Sequence, residues 1–143
     1  MTKKTLLDVE LCDVRILKTH EEINPDRFVE LKAKIEKDGF WTHPIVIDHD
    51  HGVVLDGHHR FEIAKALGLR RIPAILVDYF GSGIEVCQRR SDIPVSKESV
   101  IRQAKAKQNY PHKTTKHTCV INGENCPIIH MAPEIRIPLS DLR

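Results

Sequence analysis

The sequence predicts an α+β fold, mixed α/β in the order of its elements, and three observations carry that prediction. Short apolar runs of strand length recur at 43–48 (HPIVID), 53–56 (VVLD) and 72–78 (IPAILVD). Two stretches of helical period lie before and between them, at 25–38 and 60–67, and each is followed by a glycine, Gly39 and Gly68. Helices alternating with short strands belong to layered α/β or α+β architectures.

Taken in order, the segment from Leu6 to Leu17 alternates loosely through Val9, Leu11, Val14 and Ile16 and predicts one or two short strands. Asn24-Pro25 is a cap and first-turn pair. It opens a helix to about Asp38 with Phe28, Leu31 and Ile35 on one face and Lys32, Lys34, Glu36 and Lys37 largely outside. HPIVID and VVLD, joined by the tight turn HDHG, form a hairpin; a helix from Arg60 to Leu67 and the strand IPAILVD follow. Beyond Asp78 the pattern loosens through YFGSGIEVCQRRSDIPVSKES, then a helix is predicted from Val100 to Gln108, then a polar, basic stretch NYPHKTTKHT. In CVINGENC, Asn122-Gly123 suits a two-residue type I′ turn, which pairs Ile121 with Glu124 and sets Cys119 opposite Cys126. Residues 1–80 are expected to form the core, and 81–143 to complete the same unit as a small C-terminal extension.

Bulk properties bound the function. The 143 residues fit one compact domain, 41% of them hydrophobic and 29% charged, as in ordinary globular proteins. A formal net charge of +2 argues against nucleic acid or membrane as a partner held by bulk electrostatics. No apolar run approaches the ~20 residues that span a bilayer, and MTKKTLLDVEL does not read as a secretory signal. A cytoplasmic location is the default; the oligomeric state is open. The four cysteines show no CxxC spacing. Cys119 and Cys126 could be two thiols or a cross-strand disulfide, and the set His117, Cys119, Cys126 and His130 matches no standard zinc spacing.

The chemistry concentrates in LDGHHR, at 55–60, where a strand hands over to a helix. A glycine there lets the backbone turn tightly, and the free N–H groups of the helix start favour an anion. With His58, His59 and Arg60 the stretch suits a phosphate cradle. Asp56 would repel a bare phosphate, so it fits a role on Mg²⁺ or on a hydroxyl; the plainer alternative is a helix cap flanked by turn histidines. PHKTTKH, at 111–117, interleaves cations and hydroxyls and also suits oxyanions, or a solvated basic loop. His20-Glu21-Glu22 precedes the first helix. Trp41 could line a pocket or sit at the core edge, and HDH at 49–51 could hold a metal weakly.

From about Leu6 to Val77 the chain resembles the ParB/sulfiredoxin-like superfamily, whose D/G-G-x-H-R motif is matched by LDGHHRFEIAKALGLRRIPA. Sulfiredoxin carries its reactive cysteine just before His-Arg; His58 stands there in this chain, so that chemistry has no nucleophile. Partitioning ParB proteins continue into a helix-turn-helix domain, for which this chain is short and weakly basic. It resembles more the free L-serine kinase branch, which forms O-phospho-L-serine. The His20-Glu21 pair and YPHKTTKH, similar to that branch's P-x-[KR]-[ST]-T-x-H loop, carry the likeness to residue 117. The region between Asp78 and Val100 departs from the branch in lacking a tryptophan.

The resemblance implies Glu21 as catalytic base and Asp56 opposite it, on Mg²⁺ or on the serine hydroxyl. It implies Gly57, His58, His59 and Arg60 on the phosphates of ATP or ADP, and Lys113, Thr114, Thr115 and His117 closing over the transferred phosphate. Trp41, Thr42 and His43 are expected at the L-serine pocket by adjacency alone. A nucleotide-binding regulator or nuclease of ParB type, without kinase activity, is the alternative.

Overall fold

The computed structural model describes residues 8–81 and 83–143; Leu6, where the first expected strand would begin, lies outside them. Strand β1 (Glu10–Asp13) runs into a 3-10 turn, Val14–Ile16. Helix α1 (Pro25–Asp38) starts where Asn24 predicts: the Asn24 Oδ1 accepts the N–H groups of Asp26 (2.9 Å) and Arg27 (3.2 Å), and Gly39 ends the helix at φ +74°. The hairpin is β3 (Ile45–Asp48) and β4 (Val54–Asp56), antiparallel as expected; a two-residue strand, β2 (Phe40–Trp41), precedes it. Helix α2 spans His58–Ala66, two residues earlier than the apolar period suggests, and leads to β5 (Arg71–Val77).

These strands form one sheet in the order β1-β5-β3-β4, with β5 parallel to β3 and β1 antiparallel to β5. The sheet separates two cores, because successive side chains on a strand face opposite ways. Ile45, Ile47, Val54, Ile72 and Ala74 pack with Leu31 and Ile35 of α1 and with Phe61, Ile63 and Ala64 of α2. Val46, Leu55, Ile75 and Val77 face the later part of the chain. That part supplies β6 (Ile84–Gln88), α3 (Lys97–Lys105), β7 (Thr115–Ile121) and β8 (Glu124–Pro127), with β6-β7-β8 as a second sheet. Ile84, Val100, Ile101, Ala104, Cys119 and Ile128 complete the second core. The chain closes with β9 (Ile137–Pro138) against β2, and Leu139 and Leu142 enter the first core.

Three expectations need adjusting. The loosely patterned segment after Asp78 contains β6. Helix α3 begins at Lys97, set by Ser96, whose hydroxyl accepts the Ser99 N–H at 3.0 Å while Ser99 returns the bond. Strand β7 begins inside the stretch read as a polar loop. The β7–β8 hairpin keeps the predicted register, with Asn122 and Gly123 at φ +52° and +78° and Cys119 opposite Cys126. Among the described residues no group of three or more His, Cys, Asp or Glu side chains could hold a metal ion, which removes the HDH reading and the set around Cys119. No helix among them is long and apolar enough to cross a membrane.

Candidate active site

Both helices of the first core aim their N-termini into one cleft of about 430 Å³. At α2 the turn is built by Gly57, at φ +100°, where a Cβ would meet the Ile45 Cγ2 at 2.5 Å and its Cβ at 2.9 Å. No other residue type fits without displacing the centre of the sheet. No side chain caps α2, so the N–H groups of His58, His59 and Arg60 lack partners within the helix and give that end a partial positive charge. Asp56, the last residue of β4, lines the cleft and its carboxyl accepts the Gly57 N–H. Burial pushes that carboxyl above the usual range, and the nearby Glu21 adds to the effect; the Gly57 N–H and Arg60 oppose it.

Glu21 reaches the cleft from a strand-like segment. Lys18 lies beside β4, with its N–H on Gly52 and its carbonyl taking the Val54 N–H. Two residues on, the Tyr110 N–H bonds the His20 carbonyl at 2.7 Å and the Glu22 N–H bonds the Tyr110 carbonyl at 2.8 Å. These bonds bring the acid to the PHKTTKH loop. There its carboxylate is gripped: Oε1 accepts the N–H groups of Thr114 (3.2 Å) and Thr115 (2.8 Å) and the Thr115 hydroxyl (2.8 Å), while Oε2, among the described residues, accepts only the Lys113 N–H at 3.2 Å. Lys113 sits at φ +59°, and successive N–H groups around such a residue form an anion-binding nest.

The loop expected to close over phosphate thus spends its backbone donors on Glu21. Thr114 is fully buried and its hydroxyl donates to the Pro111 carbonyl, so it has no face toward the cleft. His117 borders the cleft but is 5% exposed, with Nε2 bonded to the Tyr79 hydroxyl at 2.9 Å and a further bond to the Leu55 backbone. Its ring is committed to the protein rather than to a ligand. Lys113 and Thr115 do line the cleft.

The histidines of LDGHHR are likewise engaged. His58 is buried and its Nε2 accepts the His20 N–H at 3.3 Å. His59 accepts the Asn24 N–H at 3.0 Å and ties the start of α2 to the start of α1. Burial holds both imidazoles below their ordinary pKa, with neighbouring histidines contributing. They are neutral at pH 7, and a charged contact from this stretch falls to Arg60 alone. Its Nη2 lies 3.3 Å from the His43 Nδ1.

The three residues expected at the serine pocket do not line the cleft. Trp41 is fully buried in the first core, with its Nε1 unbonded. Thr42 bonds His43 at 2.8 Å, and neither is among the residues lining the cleft. Sequence reasoning missed Arg27, Arg89 and Lys116, which do line it. Arg27 lies on the first turn of a helix whose start was legible, and Lys116 lies within the quoted motif; Arg89 follows a strand that left no apolar period. Arg27, Arg60, Arg89, Lys113 and Lys116 face Glu21, Glu22 and Asp56, so the cleft is a cationic site with carboxylates on two walls.

Fold and cleft define a class: a mixed α+β domain whose anion-attracting helix end and an acid delivered from upstream line one cleft. The particular likeness is to the free serine kinases. A free serine kinase solved in complex with AMP superposes with a TM-score of 0.82 over 98% of this chain and 95% of that one, at 15% identity, which establishes a shared fold. The chain is 38% identical over 92 residues to an ATP-dependent L-serine kinase of Staphylothermus marinus, a match covering 58% of this chain and 36% of that protein. To one of Desulfurococcus mucosus it is 39% identical over 80 residues, 53% of this chain and 31% of the other. The chain therefore spans about a third of the length of these relatives. No protein-family model matches it.

Proposed function

We propose that the chain phosphorylates the hydroxyl of free L-serine from ATP or ADP, giving O-phospho-L-serine, in the cytoplasm where those nucleotides are found. The observation that carries this reading is the placement of the Glu21 carboxylate on the cleft wall, in the same cavity as Asp56 and the open end of α2. The two relatives named ATP-dependent L-serine kinases support the choice of acceptor and of ATP as a donor.

Phosphoryl transfer asks a protein chiefly for positioning and charge neutralisation. The free N–H groups of His58 to Arg60 and the guanidinium of Arg60 hold the donor phosphates. Arg27, Arg89, Lys113 and Lys116 supply further positive charge for the transferring group. Glu21 accepts the serine proton, and Oε2 is the oxygen suited to do so: Oε1 already takes three hydrogen bonds, whereas Oε2 takes one. A carboxylate held by main-chain donors is fixed in direction, which is what a general base needs.

Asp56 fits Mg²⁺. This ion is usually held by one or two protein carboxylates together with substrate phosphates, and Asp56 is a half-buried carboxyl at the phosphate end of the cleft with no side-chain hydrogen bond among the described residues. Bound there, the ion would neutralise phosphate charge. The test is Glu21→Gln. It should lower turnover by about 10²- to 10⁴-fold and leave nucleotide affinity within a few-fold; turnover near that of the natural chain would remove Glu21 as the base.

A further inference from the structure

Behind Glu21 stands a hydroxyl with more acceptors than protons. The Thr115 Oγ1 lies 2.8 Å from the Glu21 Oε1 and 3.0 Å from the His20 Nε2. His20 is fully buried, and its Nδ1 lies 2.9 Å from the Val54 carbonyl. A carbonyl only accepts, so Nδ1 carries the ring proton. Burial holds the imidazole down to about 4, so at neutral pH Nε2 is bare and can only accept. The Thr115 hydroxyl has one proton for two acceptors.

Resting on the kinase reading of Glu21, we propose that His20 is a positioning residue for the base: it competes with the Glu21 carboxylate for the Thr115 proton and receives that hydrogen bond when Glu21 becomes protonated. Proton bookkeeping closes within the site. The serine hydroxyl proton moves to the Glu21 Oε2. Oε1 then becomes a carbonyl-type oxygen and a weaker acceptor, and the Thr115 O–H rotates toward the His20 Nε2. No bond of Thr115 or His20 breaks, and His20 gains no charge. When Glu21 loses its proton to solvent, the hydroxyl swings back. With Glu21 ionised the bare His20 Nε2 lacks that donor; with Glu21 protonated it gains one, and Oε1 keeps the Thr114 and Thr115 N–H groups.

The groups facing this assembly are fixed and few. The ring of His58, from α2, meets that of His20 at 4.5 Å, and the ring of His117, from β7, at 5.6 Å. Asp56, at the end of β4, feels the charge of Glu21. Lys113, from the loop, donates its main-chain N–H, and Glu22 follows in the chain.

The two partners act on Glu21 with opposite sign, which gives the test. It uses the full chain without ligand, following the Glu21 side-chain carboxyl by ¹³C NMR as pH changes. His20→Asn retains a donor toward the Val54 carbonyl and removes the acceptor facing Thr115. The Thr115 proton then belongs to the carboxylate alone, and the titration midpoint should fall by roughly one pH unit, the size of one hydrogen bond to a charged group. Thr115→Val removes the donor, so the midpoint should rise by a similar amount. Adding His20→Asn to Thr115→Val should change nothing further, and His20→Gln, which places an acceptor near the position of Nε2, should restore the natural midpoint. A reading at neutral pH, where the ring is unprotonated, uses Glu21→Gln as the neutral form of the base: the ¹⁵N signal of the His20 Nε2 should shift as that nitrogen gains the Thr115 hydrogen bond. An Nε2 resonance indifferent to Glu21, or a folded His20→Asn chain with an unmoved midpoint, overturns the proposal. These readouts need no turnover: a coupled titration in a chain that phosphorylates nothing would sink the kinase reading and leave the coupling standing.

Discussion

At the scale of the residue, Arg60 separates what charge does in this cleft from what the fold does. The imidazoles beside it, His58 buried and His59 half-buried, are neutral and bonded to main-chain N–H groups, so they shape the turn and leave a phosphate's charge to the guanidinium. Replacing Arg60 with alanine should weaken nucleotide binding about 10- to 100-fold, the worth of one charge-assisted hydrogen bond, as measured by calorimetry, with the melting temperature little changed. Unaltered affinity would place the phosphates elsewhere. The sequence makes Glu21, Asp56 and Arg60 visible because acids and a guanidinium beside helix starts have few structural reasons to be there. It conceals the direction in which Thr114, His117 and Trp41 face. A hydroxyl, an imidazole or an indole can be turned inward by one tertiary hydrogen bond or by core packing, and no local pattern records that choice.

At the scale of the element, the turn from β4 to α2 rests on one residue without a side chain. Gly57 combines a left-handed backbone with contact against Ile45. Gly57→Ala should therefore cost about 3 kcal/mol in chemical denaturation, roughly one for the backbone and two for overpacking, and should also distort the N–H groups that open into the cleft. A loss below about 1 kcal/mol would show the turn to be less constrained than its geometry indicates. Helix α1 and the two hairpins were legible because their signals are local: an Asn-Pro cap, a closing glycine, an Asn-Gly turn. Strand β6 and the first half of β7 were not. In β6 only Ile84 is fully buried, and the buried positions of β7 include Thr115, His117 and Thr118, so neither presents an apolar alternation to read.

At the scale of the whole molecule, polar groups are buried where the two sheets meet. His20, His58 and His117 pack ring against ring beneath the cleft floor. Burial lowers His20 to about 4 and His117 to about 3, and lowers His58 as well. In the unfolded chain these groups titrate near 6.5. Each therefore contributes stability that is complete above pH 6.5 and is lost as pH falls toward its folded value. Asp56, raised by burial, has the opposite sign: its carboxylate opposes folding at neutral pH and ceases to do so in acid. The histidines outnumber it, so unfolding free energy should drop by at least about 1.4 kcal/mol per pH unit between pH 6 and 5. Denaturant titrations at several pH values measure this directly, and a flat profile over that interval would mean that these rings accept protons without unfolding.

The same burial ties the later part of the chain to the first sheet. Residues after Asp78 supply the loop that holds Glu21, so the acid and the open helix end depend on both parts of the chain. The most direct test of that arrangement is ³¹P NMR of the protein mixed with L-serine, Mg²⁺ and either ATP or ADP. A phosphoserine resonance should grow with time and be suppressed in Glu21→Gln. Nucleotide bound at the cleft with no phosphoserine from either donor would contradict it.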